Sequence, residues 1–230
     1  MRLQLNTRET LLARACRRYQ TALANVRPDN DKLGVIGYLT RHGISFNVAQ
    51  NYQLGLVIDP VNGDERFAGT LSIPYLTPRG TPRGIKAMRY RSLVDGDGPK
   101  YNAAKGQKPR LYNTKAYFAA NDTIGLSEGE IDSIVATETL GIATMGIPGC
   151  QAWQSNEDIW LPLFRDYTQI IIFIDGDSAG DGLGSRLVDS LTWRAKPIRC
   201  PDGEDVASMC ASGNGHVLRE AIDRALRVEE

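Results

Sequence analysis

The sequence predicts an α/β protein in two parts: a basic portion of helices and antiparallel strands over residues 1–120, then a mainly parallel sheet with flanking helices over 121–230. Three observations predict it. First, Ile170-Ile171-Ile172-Phe173-Ile174-Asp175-Gly176-Asp177 is an apolar run without alternation that ends in two aspartates. Such a run reads as a central parallel strand covered on both faces, and ligands sit beyond the carboxyl ends of strands of that kind. Second, from residue 122 strand and helix signals alternate, with helices expected near 130–140, 156–165, 179–194 and 214–226, the pattern of a parallel sheet. Third, the neutral total hides a division: residues 1–120 hold 19 Lys/Arg against 8 Asp/Glu, and residues 121–230 hold 8 against 19.

In chain order, Leu11, Leu12, Ala15, Tyr19 and Leu23 fall at helical spacing within residues 8–24, with Arg8, Arg14, Arg17 and Arg18 largely on other faces. This predicts a docking helix with a basic exterior. A second helix is expected over 31–42. Phe67 to Arg91 alternate enough to predict an antiparallel hairpin, with Pro-Arg-Gly-Thr-Pro-Arg-Gly at 78–84 as its turn. The boundary between the halves is expected near 116–121. Thr123-Ile124-Gly125-Leu126-Ser127 and Lys196-Pro197-Ile198-Arg199-Cys200 read as further strands, one before and one after the central run in sequence.

Acids follow all three strands. Asp175 and Asp177 would repel each other, and their natural companion is a divalent cation such as Mg²⁺, which prefers oxygen ligands. A polar turn capping the next helix is the plain alternative. Glu128 occupies a strand-to-helix corner, and Asp132 lies one helical turn along, where it could orient the surroundings of Glu128 or touch a hydrated ion. Pro201-Asp202-Gly203-Glu204-Asp205-Val206 supplies the third cluster. The expectation is one acidic pocket at three strand ends.

The order Ser127-Glu128-Gly129-Glu130-Ile131-Asp132, Gly146-Ile147-Pro148-Gly149, Ile174-Asp175-Gly176-Asp177-Ser178-Ala179-Gly180 and Gly203-Glu204-Asp205-Val206 resembles a complete Toprim domain. That fold is shared by DNA primases, type IA and II topoisomerases and some nucleases. Upstream, Gly37-Tyr38-Leu39-Thr40-Arg41-His42-Gly43-Ile44-Ser45 and Tyr52-Gln53-Leu54-Gly55 resemble the start of the RNA polymerase domain of DnaG-type primases. Gly98-Pro99-Lys100-Tyr101-Asn102, then Lys105, Lys108, Arg110 and Leu111-Tyr112-Asn113, are similar to the basic primase segment that leads into the Toprim core.

The resemblance implies a DNA primase that makes short RNA primers on a single-stranded DNA template from ribonucleoside triphosphates, using Mg²⁺ or Mn²⁺, two ions in all. It implies Asp175, Asp177 and Asp205 as holders of metal and triphosphate, Glu128 as a ligand or general base, and Asp132 as a supporting carboxylate. The third ligand stays open among Asp202, Glu204 and Asp205, because Val206-Ala207-Ser208 departs from the more polar family pattern. Arg83, Lys86, Lys100, Lys105, Lys108 and Arg110 are the candidates for template and triphosphate phosphates. Residues 79–115 carry ten basic side chains against Asp95 and Asp97 alone, and phosphates neutralised by such groups release counterions.

Two other readings stand beside it: a Toprim nuclease, which would need no basic front portion, and a noncatalytic module that binds single-stranded DNA or a helicase, which would need no acids. A topoisomerase fits least, since the chain is short for a gate. No Gly-x-x-x-x-Gly-Lys-Ser/Thr phosphate loop is present, and Cys16, Cys150, Cys200 and Cys210 form no Cys-x-x-Cys pair, so no zinc is expected and the cysteines read as reduced. A replicative helicase and a separate zinc-binding module are therefore expected as partners, as in a split phage system. The sequence lacks a span of ~18–20 apolar residues and a signal-peptide core, which predicts a cytoplasmic protein. Among Trp153, Trp160 and Trp193, Trp153 is expected in a loop and is the candidate for base stacking, with a core position the plainer alternative.

Overall fold

The computed structural model describes residues 2–61, 63–78, 84–94 and 99–227, with side chains from residue 10 onward. The chain forms two compact units, divided between Lys108 and Pro109. This falls ahead of the expected boundary near 116–121, for a physical reason. Tyr112 and Gly146 exchange backbone hydrogen bonds of 2.8 and 3.3 Å, and Leu111 and Ala116 are buried in the second unit's core.

In the first unit, α1 (Arg2–Ala24) lies on an antiparallel sheet of β1 (Gly55–Leu56), β2 (Leu71–Leu76), β3 (Ile85–Arg91) and β4 (Tyr101–Ala103), in that order. Two short helices, α2 (Val35–Arg41) and α3 (Phe46–Asn51), precede β1. The hairpin β2–β3 is the one expected, and its turn residues 79–83, Arg83 among them, lie outside the described residues. Ala15, Cys16 and Tyr19 of α1 pack with Val57, Phe67, Ile85 and Tyr90, while Arg14, Arg17 and Arg18 face outward. Leu11 departs from the predicted apolar face and is exposed; Ala13 and Cys16 take the buried positions instead. Tyr19 and Tyr90 both donate to Oδ2 of Asp64 at 2.8 Å, which ties helix and sheet to one carboxylate.

The second unit opens with α4 (Lys115–Ala119) and is built on four parallel strands in the order β6 (Thr144–Ile147), β5 (Thr123–Glu128), β7 (Gln169–Ile174) and β8 (Ala195–Arg199). The connecting helices are α5 (Glu130–Val135), continued by a π-helical turn to Leu140, α6 (Cys150–Trp160) and α7 (Ser178–Leu191); α8 (Val206–Ala211) and α9 (Gly215–Leu226) follow β8. Ile170 and Ile172 of β7 join a core with Trp153, Phe164, Leu183 and Leu187. Ile171 and Phe173 are equally buried and, by strand alternation, point to the opposite face. A strand covered on both faces is what the unalternating apolar run predicts. The expected α/β class is therefore the observed one.

Trp153 corrects an expectation. It lies inside α6 rather than in a loop and is fully buried beside Trp160 and Phe164, so it cannot stack on a base. Among the described residues all four cysteines are free, and no helix is long and apolar enough to cross a membrane.

Candidate active site

Every acid singled out in the second unit lies at the carboxyl edge of its parallel sheet. Glu128 ends β5 in register with Ile147 of β6, and Gly129, at φ 84°, turns the chain directly into α5. Only glycine takes that left-handed corner without strain. Glu128 is half-buried, and its carboxyl is pushed above the ordinary range first by burial and further by the charge of Asp177, with Cys150 acting in the opposite direction. Cys150 begins α6, and its Sγ lies 3.6 Å from each Glu128 carboxylate oxygen and 3.3 Å from the carbonyl of Ala179. Burial and these acids push its thiol up to about 11, which keeps it protonated as a donor to Glu128. Sequence reasoning passed Cys150 over as an ordinary cysteine. The signal was available, because Gly146-Ile147-Pro148-Gly149 delivers the next residue to the strand edge beside Glu128.

Asp175 and Asp177 leave β7 through a turn that tolerates no side chain at Gly176, where a Cβ would sit 1.8 Å from the carbonyl oxygen of Pro201. The close approach is productive. Gly176 N–H donates to the carbonyl of Glu204, and Gly203 N–H donates to that of Gly176, both at 2.8 Å, so the third acidic segment is stapled to the second. Asp177 then caps α7 by accepting from Gly180 N–H at 2.7 Å, and Asp205 caps α8 by accepting from Ser208 N–H at 2.7 Å. The capping turn and the acidic site are thus one structure, since each cap uses one carboxylate oxygen and leaves the other.

The three candidates in the segment 202–205 have different surroundings. Asp202 is ion-paired with Arg199 at 2.8 Å, and Arg199 is held bidentately by Asp181. Glu204 accepts from the Ser208 hydroxyl. Asp205 alone acts on Asp132, whose carboxyl is raised well above the ordinary range by burial and then by the charges of Asp205 and Asp175. Asp132 Oδ1 accepts from Ala207 N–H at 2.9 Å and so fixes the first turn of α8 from α5. The partner is a backbone amide, which explains why an apolar residue suffices at Ala207.

A prediction follows for Asp132. Asparagine keeps the Oδ1 acceptor, whereas alanine leaves a buried N–H without a partner, at a cost of about 1–3 kcal/mol in urea unfolding at neutral pH. Because the folded state holds this proton above the unfolded pKa, native protein binds more protons than unfolded protein in that window, and wild-type stability falls as pH rises through it. Asp132→Asn should escape that fall, so its stability relative to wild type should improve from pH 4 to pH 8; a pH-independent difference would contradict the assignment.

Among the described residues no three His, Cys, Asp or Glu side chains stand together as a preformed metal cluster. The oxygen donors at this edge are nonetheless carboxylates, and a bound cation would favour their charged forms against the burial and, behind it, the mutual repulsion that raise Glu128 and Asp132.

In the first unit, Lys86, Lys100, Lys105 and Lys108 are exposed, and Arg110 is exposed in the second. Arg89 and Arg91 differ from them. Their guanidinium groups lie 4.5 and 4.6 Å from the centroid of the Tyr101 ring, so part of the basic run is committed to packing.

The architecture described above is that of the catalytic core of DnaG-type primases. The chain is similar to a DnaG primase catalytic domain bound to single-stranded DNA (18% identity, 97% of this chain and 79% of that one, TM-score 0.71). It is also similar to the RNA polymerase domain of Mycobacterium tuberculosis primase DnaG in complex with double-stranded DNA (18% identity, 97% and 81%, TM-score 0.71). No family model matches the sequence. At 40% identity over 159 residues, covering 68% of this chain and 99% of the relative, the chain belongs to the same family as the Gene 57 protein of Mycobacterium phage D29.

Proposed function

We propose that the chain is a DNA primase that synthesises short RNA primers on single-stranded DNA in a metal-dependent, template-directed reaction. The observation that carries this reading is the placement of Glu128, Asp175 and Asp177 at the carboxyl edge of the parallel sheet of a DnaG-core fold. The neighbours' complexes with DNA support a DNA partner for this chain.

Asp175, Asp177 and Asp205 would hold Mg²⁺ or Mn²⁺ together with the triphosphate. Magnesium commonly takes only one or two protein carboxylates and completes its shell with water and phosphate oxygens, so a site without three converged side chains fits it. Two such ions, when bound, lower the pKa of an attacking hydroxyl and neutralise charge on the leaving oxygens. Glu128 serves as a further ligand or receives the proton of the 3′-hydroxyl as that oxygen attacks the α-phosphate and pyrophosphate leaves. Its raised carboxyl makes it a better base than an ordinary carboxylate, and the Cys150 thiol holds its orientation. Asp132 keeps α8, and with it Asp205, in place. Ribonucleoside triphosphates, a replicative helicase and a zinc-binding module are the further partners of this reading.

Incubation with single-stranded template, ribonucleotides and Mg²⁺ or Mn²⁺ tests it. Oligoribonucleotides are the expected product; shortened template would make the chain a nuclease, and unchanged template with no product across a metal titration would leave only a binding module. Lys86, Lys100, Lys105, Lys108 and Arg110 supply template or triphosphate contacts in the same reading. Replacing Lys100, Lys105 and Lys108 together by alanine is expected to weaken template binding and to flatten its log-log salt dependence by roughly 0.7 per lost phosphate contact. An unchanged slope would assign these lysines to solvated surface.

A further inference from the structure

The acids occupy one end of the parallel sheet, and the opposite end carries a feature that the proposed reaction does not use. A cavity of about 790 Å³ opens where β7 and β8 begin, lined among others by Gln169, Trp193, Lys196, Pro197, Arg224 and Arg227. Gln169 Nε2 donates to the carbonyl of Leu226 at 3.2 Å and pins the end of α9 to the start of β7, so the cavity walls are joined. Six residue steps separate Gln169 at this end of β7 from Asp175 at the other, about 20 Å at strand rise.

Its composition runs against its surroundings. Residues 121–230 hold 8 Lys/Arg against 19 Asp/Glu, yet three of those cations line this one cavity and, among the described residues, no Asp or Glu does. Arg199, by contrast, is paired with Asp181 and Asp202. Trp193 is 75% exposed, whereas Trp153 and Trp160 are 0% and 6% exposed in the core. A wet indole beside three cations presents a stacking face and phosphate partners together, the combination that holds single strands without reading sequence. The edge itself is blunted: Pro197 removes a ladder donor in β8 and Lys196 flanks it, so an added peptide strand is disfavoured.

We propose that this cavity is a second nucleic-acid site, which takes a single-stranded polynucleotide by stacking a base on Trp193 and pairing its phosphates with Lys196, Arg224 and Arg227. It reads base faces and phosphates, so DNA and RNA strands bind it alike. This goes beyond the primase reading and does not depend on it.

Intrinsic fluorescence tests it, since two of the three tryptophans are buried. Titration with oligo-dT or oligo-rU of about ten nucleotides should quench Trp193 emission, with affinities for the two within about threefold. The quenching should persist when Lys100, Lys105 and Lys108 are replaced by alanine, which separates this site from the front of the chain. Lys196→Gln, Arg224→Gln and Arg227→Gln together should weaken it at least tenfold and lower the salt slope by roughly 2. In the triple-alanine background, Trp193→Leu should weaken binding of a labelled oligonucleotide by roughly tenfold, and Trp193→Phe, which keeps a ring, should bind better than leucine. Absence of quenching, quenching indifferent to the three glutamine substitutions, or equal quenching by poly-glutamate would overturn the proposal, the last in favour of an acidic protein partner.

Discussion

Replacing Asp177 by alanine is expected to abolish primer synthesis, and Asp175→Ala to do so more weakly, while single-stranded DNA binding stays nearly intact. In the proposed reaction the acids serve the ions and triphosphate, and the basic residues serve the strand. Asp177 also caps α7 through Gly180 N–H, so its alanine variant carries a stability cost of about 1 kcal/mol. Asp177→Asn separates the two effects, because asparagine caps a helix as well as aspartate but lacks the charge. The expected pattern is loss of synthesis in both variants and loss of stability in alanine alone, read from product gels beside thermal unfolding. Full synthesis by the Asp175→Ala/Asp177→Ala double variant would sink the metal-site assignment.

Glu128→Gln is expected to lower turnover by ~10²–10⁴ with metal affinity little changed if Glu128 accepts the proton, and to lower both if it is a ligand. Primer-synthesis rates beside Mn²⁺ calorimetry distinguish these roles, and a variant normal in both assays would remove Glu128 from the catalytic residues. Burial and Asp177 hold the wild-type carboxyl above its ordinary value of 4.5, so it is protonated, and useless as a base, at milder acidity than a surface glutamate. Activity should therefore fall as pH drops through that raised pKa, and the glutamine variant should lose this limb of the profile.

The parallel sheet and its acidic edge were legible because β7 states its environment in its own composition: five apolar residues need cover on both faces, and the aspartates that follow mark its carboxyl end. The corner after Glu128 was legible for a similar reason, since Gly129 permits the turn. Elements fixed by distant partners were not. α8 has six residues, too few to be stable alone, and it is held by the Asp132–Ala207 bond from α5. α6 begins at Cys150 instead of near 156, which carries Trp153 from an expected loop into the core. The unit boundary shifted because Tyr112 pairs with Gly146, a contact between residues far apart in sequence. Cys150 was missed because Gly146-Ile147-Pro148-Gly149 brings it only to a strand edge, while the partner that gives it a role, Glu128, lies on the neighbouring strand.

The choice among Asp202, Glu204 and Asp205 shows the same limit. In sequence the three are interchangeable carboxylates; in the fold Arg199 holds Asp202 and the Ser208 hydroxyl engages Glu204, while Asp205 acts on the buried Asp132. Spacing could name the segment, and only the partners could separate its members.

De novo primer synthesis shows itself in the fate of a labelled γ-phosphate. The first ribonucleotide of a primer attacks through its 3′-hydroxyl and keeps its own triphosphate, whereas every nucleotide added afterwards loses pyrophosphate. With γ-labelled ribonucleoside triphosphate, unlabelled partners, single-stranded template and Mn²⁺ or Mg²⁺, the expected products are short oligoribonucleotides that carry the γ-label at their 5′ ends, dependent on template and lost in Asp177→Asn. Shortened template with no labelled oligoribonucleotide would contradict the proposed reaction.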